Sequence, residues 1–262
     1  MTTATINPID NSLGHTDDMA ADLNRRLELL LRTGCLLMEC AADTTRINRN
    51  LRRTADFLGL EADKLHIYVD YDMLMVNYGD DLHSYTKFRC CTHHGINMTA
   101  ISGISHLSWE AIRDNYSLDR YEQRLETIAA TPRNYTPWQV AMGGGLACGG
   151  FCIQFGCDWP AFFYASAAAI LGLRLRTYLV EKGANHLICI GVAAFVATLL
   201  AWLESLISLT PAIASALPSW MISDTPWHPL MACALFIVPG VPLIHFVDDM
   251  LDGYVRTGIT RA

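Results

Sequence analysis

Three groups of residues in this 262-residue chain have types and spacings that could do chemistry. Cys90-Cys91-Thr92-His93-His94 sets four soft ligands within five residues, the donor types of a zinc or copper site. Adjacent residues converge poorly on one tetrahedral ion, and neighbours on a strand point to opposite faces. The run therefore reads as a strand end, and no metal or cofactor is expected. Pro239-Gly240-Val241-Pro242 breaks an otherwise apolar stretch. Its prolines remove backbone donors and free carbonyls. At membrane depth such unwound backbone persists only where it is buried in protein or lines a wet cavity, and half-helix amino termini there can face a carboxylate. His245, Asp248 and Asp249 follow the break. A histidine can relay a proton near neutral pH, or simply pack. An aspartate at that depth serves coupling or gating, or sits solvated at the cytoplasmic edge. Pro239, Gly240, Pro242, His245 and Asp249 are thus the candidate substrate-binding or gating residues. No phosphate-cradling glycine loop, nucleophile elbow or paired CxxC motif occurs, and no catalytic residue is assigned.

The elements that must position these residues divide into two halves. Residues 1–137 hold 14 basic and 19 acidic residues, whereas residues 138–262 hold 5 and 7. The first half reads as water-solvated and the second as lipid-solvated. The acidic balance gives no footing for nucleic-acid binding, which needs a basic face. The polar start, MTTATINPIDNSLGHTDD, lacks the charged and apolar regions of a secretory signal.

In the second half, about 20 apolar residues suffice to cross a hydrocarbon core of about 30 Å. Charge-free runs predict transmembrane helices at about 138–157, 159–180, 183–204 and 227–250, the second with Arg174 and Arg176 snorkelling and the last broken at 239–242. Ser205–Ser223, with Pro211 and Pro218, reads as an external loop rather than a fifth crossing, and Glu204 as a solvated residue beside it. Four crossings place Arg174, Arg176 and Lys182, and also Arg256 and Arg261, on the inside with the amino-terminal domain. Gly143, Gly144, Gly145, Gly149 and Gly150 predict close helix packing. Of the nine cysteines, Cys148, Cys152, Cys157, Cys189 and Cys233 lie in or beside apolar runs, and no disulfide framework is expected.

The first half has a flexible tail over 1–20 and an α+β cytoplasmic domain over 21–133. Leu23, Leu27, Leu30, Leu31 and Leu37 keep helical spacing, and a second helix spans about Asp43 to Leu58. His66–Val69, Met73–Tyr78 and Ser84–Cys91 read as strands of a small antiparallel sheet. Helices at about 97–114 and 118–130 lead to the transmembrane domain of 134–262.

Three stretches carry a family resemblance: Leu36–Arg46, Arg89 with His94-Gly95-Ile96-Asn97-Met98, and Val238–Ile244 with Asp249-Met250, Gly253 and Thr257–Arg261. Together they resemble the threonine/serine exporter family of bacterial inner-membrane proteins, and most nearly the larger subunit of its split, two-component succinate-export branch. Ala41 stands where the family usually has glycine, and His245 where it often has asparagine. The resemblance implies a multi-pass inner-membrane subunit with its amino-terminal domain in the cytoplasm. It would export small carboxylates or amino acids, as part of an oligomer with a small multi-pass partner. It also favours Asp249 over Asp248 and points to a polar cluster of Glu39, Asp43, Arg46, Arg89 and Asn97, either a substrate antechamber or an ion-paired fold lock. The competing class is a membrane-anchored enzyme or sensor whose soluble half does hydrolytic or metal-dependent chemistry. A non-transporting assembly subunit is a third.

Overall fold

A computed structural model of the chain describes residues 12–79, 84–91, 95–131, 135–234 and 240–261. They fall into two compact units, Met1–Arg133 with Val241–Ala262, and Asn134–Gly240.

The first unit is α+β. Helix α1 (Ser12–Glu39) is followed by α2 (Thr44–Phe57), the strands β1 (Leu65–Val69), β2 (Met73–Gly79) and β3 (Ser84–Cys90), then α3 (Met98–Arg113) and α4 (Leu118–Ala130). Helix α1 begins within the stretch that the sequence assigns to a tail. It ends as Ala41 N–H donates to Met38 O at 2.9 Å and Ala42 N–H to Leu37 O at 3.0 Å, with Ala41 at φ 59°. This closure puts a left-handed residue just past the helix, which explains why a glycine suits the position. Asp43, Asn97 and Ser117 cap α2, α3 and α4, each side chain accepting a backbone N–H of the first turn.

The sheet is antiparallel in the order β1-β2-β3. Its register pairs Val69 with Leu74, Val76 with Lys87 and Leu74 with Arg89. Leu74, Val76 and Val69 enter a core with Leu30, Leu37, Ile47, Leu51, Ile104 and Tyr121. Gly34 lets α1 approach: a Cβ there would collide with Leu74 and lie 3.0 Å from Leu51. Two polar networks tie the helices together. Tyr121 Oη lies 3.1 Å from Thr33 Oγ1 and 3.3 Å from Thr54 Oγ1. Asn50 Oδ1 accepts from Ser105 and Ser108, and Ser108 Oγ accepts from Arg53. The unit also includes α10 (Gly240–Leu251) from Val241 onward, and α11 (Val255–Arg261), joined through Gly253 at φ 86°. The sequence assigns these residues to the transmembrane domain; here they group with the amino-terminal half.

The second unit is helical: α5 (Pro137–Gln154), α6 (Trp159–Glu181), α7 (His186–Leu209), the short α8 (Pro211–Ala214), a 3-10 turn at Ser219–Met221 and α9 (His228–Ala234). Thr136 and Gln139 form a capping box at α5, with Pro137 in the first turn. Gly144, Gly145 and Gly149 lie against α6. A Cβ on Gly145 would sit 2.9 Å from Ser166 O and 3.0 Å from Ile170 N, and one on Gly149 would sit 2.9 Å from the Phe162 ring. A Cβ on Gly143 or Gly150 would meet nothing within 4 Å among the described residues. Further in, Ala168, Ala197, Ala201 and Cys233 pack together, while Phe151, Phe163, Leu171, Leu187 and Phe195 face outward.

Helix α7, over Leu187–Leu209, is the one described helix long and apolar enough to cross a membrane by itself. Glycines dilute α5, and Arg174 and Arg176 interrupt α6. The last expected helix is divided: α9 ends at Ala234 and α10 starts at Gly240, while Pro239 lies outside the described residues, as do Thr92, His93 and His94.

Candidate functional site

Four of the five residues that the sequence groups into one polar cluster, Glu39, Asp43, Arg46 and Arg89, are distributed over two pockets of the first unit. The first, of about 250 Å³, is lined by α1 (Arg32, Cys35, Leu36, Glu39), β3 (Arg89, Cys90) and α4 (Leu125, Ala129). Arg89 shares its sheet face with Leu74 through the register, so it points toward α1 and reaches Glu28 at 3.2 Å. Arg32 is held by Glu122 at 2.9 Å and Glu126 at 3.2 Å. The neighbouring Cys91 thiol, and then burial, push the Cys35 thiol up from its ordinary range. Burial, reinforced by Glu39, pushes Cys40 up to about 11. Both are therefore held as inert thiols at neutral pH.

The second pocket, of about 310 Å³, lies between α2 and α10, with Asp43, Thr45, Arg46 and Arg49 on one side and Asp248, Leu251 and Asp252 on the other. Asp43 accepts Arg46 N–H at 2.6 Å and pairs with the Arg46 guanidinium at 3.2 Å. Thr45 donates to Asp252. Asn97 joins neither pocket; it caps α3, and its N–H donates to Cys40 O at 3.3 Å.

Beside the second pocket the two terminal helices dock onto α2. Asp249 is 1% exposed. Its Oδ1 accepts Thr44 N–H at 3.2 Å, and its Oδ2 lies 3.2 Å from Arg261 Nε as an ion pair not aligned as a hydrogen bond. Arg261 also donates to Ala42 O at 3.1 Å and to Thr44 Oγ1 at 3.4 Å. Asn48 donates to Tyr254 Oη at 3.0 Å, and Thr257 donates to Val69 O at 3.3 Å. Close approach of the two helices needs Gly258, where a Cβ would stand 3.1 Å from Phe246 O. His245, one turn before Asp249, has both ring nitrogens enclosed without a hydrogen-bond partner among the described residues. The arrangement fastens a carboxylate rather than presenting a free one.

The model of the family described as putative threonine/serine exporter matches residues 28–262. This chain belongs to that family. Among curated relatives, the probable succinate transporter subunit YjjP of Escherichia coli (strain K12) is 26% identical over 233 residues, covering 89% of this chain and 85% of that protein. The protein of the same name from Klebsiella aerogenes is 25% identical, covering 89% and 84%. No solved structure matches the chain.

The family match takes in both units, and with them Glu39, Arg89, Asp249 and Arg261. For this exporter-family chain, sequence reasoning did not pair Arg261 with Asp249. Arg261 entered there as a charge for orientation and as the end of the Thr257–Arg261 stretch that carries the family resemblance. The twelve-residue spacing with Gly253 between them was the available signal, since a helix–glycine–helix hairpin can bring such residues together. Arg32, Glu28 and Asp252 were also missed; each is a surface residue until the tertiary fold gives it a partner. Glu204 was expected to be solvated, yet its Oε2 is buried.

Proposed function

We propose that this chain is one subunit of a secondary exporter in the bacterial inner membrane, a transporter component rather than an enzyme. It moves small carboxylates or amino acids, succinate or threonine and serine, together with a small multi-pass partner of the same family. The observation that carries this reading is the family match, which runs through the water-facing α+β unit and the apolar-faced helical unit alike.

The residue types of the second unit support a membrane setting. At one end Arg174 lies 5.7 Å from the Trp138 ring and Lys182 lies 5.6 Å from the Tyr178 ring. At the other end the exposed Trp159, Trp220 and Trp227 lie within three residues in sequence of Asp158 or of the Ser223–Thr225 segment that bonds to it. Amphipathic aromatics at both ends of an outward apolar band suit two membrane interfaces. Asp158 accepts from Ala161 N–H at 3.1 Å, Ser223 Oγ–H at 2.8 Å and Asp224 N–H at 2.6 Å. Burial alone would raise its carboxyl, but these bonds outweigh burial and hold it below the usual carboxylate range, a fixed anchor at that end.

In this reading α5, α6, α7 and the broken α9–α10 segment are the four crossings, and the amino-terminal domain is cytoplasmic. Substrate meets the chain at Pro239, Gly240 and Pro242, with His245 beside it, and Asp249 acts as a gate held shut by Arg261. The pocket with Glu39 and Arg89 serves as an antechamber. Four helices enclose little, so the partner subunit or further copies complete the path.

Efflux from cells preloaded with labelled succinate or labelled threonine tests this, with the chain expressed alone and with its candidate partner. Faster efflux of one substrate, requiring both subunits and reduced more than tenfold by Asp249→Asn, is the expected result. Assembly in the membrane without efflux of either substrate would defeat the exporter reading.

A further inference from the structure

Glu204 lies inside the candidate span Leu187–Leu209 of α7. It continues the interior face of that helix, one turn beyond Ala201 and two beyond Ala197, and Ser205 beside it is also buried. Its Oε2 is enclosed and has no hydrogen-bond partner among the described residues. Helices α6 and α9 of the same unit pack on that face through Ala168 and Cys233. The titratable groups on these elements are Tyr164 and Tyr178 on α6 with Asp158 at its cap, Cys233 and His228 on α9, and Cys148 and Cys152 on α5, besides the charged residues towards the end of α6. Tyr164 is already committed, donating to Met221 O at 2.6 Å, and Asp158 is satisfied at the capping segment. Arg174, Arg176 and Glu181, like Tyr178, lie further along α6, and Lys182 follows as its carboxy-terminal cap. No cation from this set is placed to neutralise Glu204.

An ionised carboxylate without a partner is costly in such a site, and taking up a proton removes the charge. A hard metal cation fits poorly, because it requires several oxygen ligands and the surroundings are alanines and a thiol. We propose that Glu204 is a proton-binding site within the helical unit and the residue through which a proton gradient drives this exporter. On one side an O–H bond of hydronium breaks as the carboxyl O–H forms, leaving water; on the other the carboxyl O–H breaks and water takes the proton as hydronium, and no electrons change hands. The existence of the site is independent of the exporter reading, while its use in transport rests on it.

The test uses the full chain in lipid vesicles with its candidate partner, as wild type, Glu204→Gln and Glu204→Asp. Difference infrared spectroscopy across a pH step should give a protonated-carboxyl band that Glu204→Gln abolishes and Glu204→Asp retains with a shift. In the same vesicles, Glu204→Gln should lower gradient-driven substrate movement more than tenfold while leaving exchange at equal pH within about twofold. A band unaffected by Glu204→Gln overturns the proton site. Loss of the band with gradient-driven movement intact overturns its coupling role. If wild type moves neither succinate nor threonine, the exporter reading fails, and the infrared comparison still decides the proton site.

Discussion

The two units bury opposite kinds of residue. Around β2, the first unit fills its interior with leucine, isoleucine and Tyr121 and turns charged pairs such as Arg32–Glu122 outward. The second closes on Ala168, Ala197, Ala201, Cys152 and the glycines of α5, and turns Phe163, Leu187 and Phe195 out, the last 68% exposed. In water, large apolar side chains gain most from burial. In the membrane setting proposed for the second unit, that gain would vanish between helices, and close backbone approach would take its place. Their buried carboxylates differ in the same sense. Asp249 has a cation and a backbone donor; Glu204, half-buried, has one enclosed oxygen with neither among the described residues. One is fastened and the other is available to change charge.

The sharpest way to break this comparison is to unfasten Asp249. Arg261→Ala leaves a buried carboxylate without its cation, a change that costs about 3–5 kcal/mol. Hydrogen exchange of the full chain should then show lost protection in α2, α10 and α11, with α5–α7 unaffected. Asp249→Asn combined with Arg261→Gln should regain part of it, because the uncompensated charge is gone. Unchanged exchange in α2 would mean that the clasp carries little of the first unit's stability.

A smaller effect tests the second unit. Gly145→Val forces a side chain against Ser166 O and Ile170 N, which are backbone atoms and cannot rotate away. Overpacking of this kind costs about 1–3 kcal/mol. Gly143→Val, where an added Cβ meets no described atom within 4 Å, should be nearly neutral. Thermal unfolding of the two variants in the same lipid should therefore separate them. Equal midpoints would mean that α5 and α6 do not use their glycines for approach.

How far the sequence discloses these features depends on whether the information is local. The strands, and the caps at Asp43, Asn97 and Ser117, follow from residues within a few positions, and the structure has them. The face of α5 was not legible, since a run without polar markers has no visible phase; only the fold separates Gly145 from Gly143. Glu39 and Asp43 are four residues apart, which on one helix would align them. The chain instead leaves α1 at Glu39 and turns through Ala41, so they line different pockets. The apolar run before them points to Asp248 and Asp249 together and the family resemblance singles out Asp249, whereas its partners, Thr44 and Arg261, are set by tertiary packing.

The finest test concerns a buried polar group of the first unit whose bonds are complete. Tyr121 Oη sits between Thr33 and Thr54, and burial raises its phenol above the ordinary value of 10.0, with the two threonine contacts pulling the other way. Tyr121→Phe should cost about 0.5–1.5 kcal/mol at neutral pH, the net worth of one hydrogen-bonded hydroxyl. Above about pH 10 the unfolded tyrosine releases its proton while the folded one keeps it, so the unfolded state binds fewer protons and wild-type stability falls as pH rises. Phenylalanine has no proton to release. The difference between the two proteins, followed by chemical denaturation from neutral pH into the alkaline range, should therefore shrink once pH passes about 10. A difference that stays constant there would mean that Tyr121 ionises equally well folded and unfolded, and that water reaches the centre of the first unit.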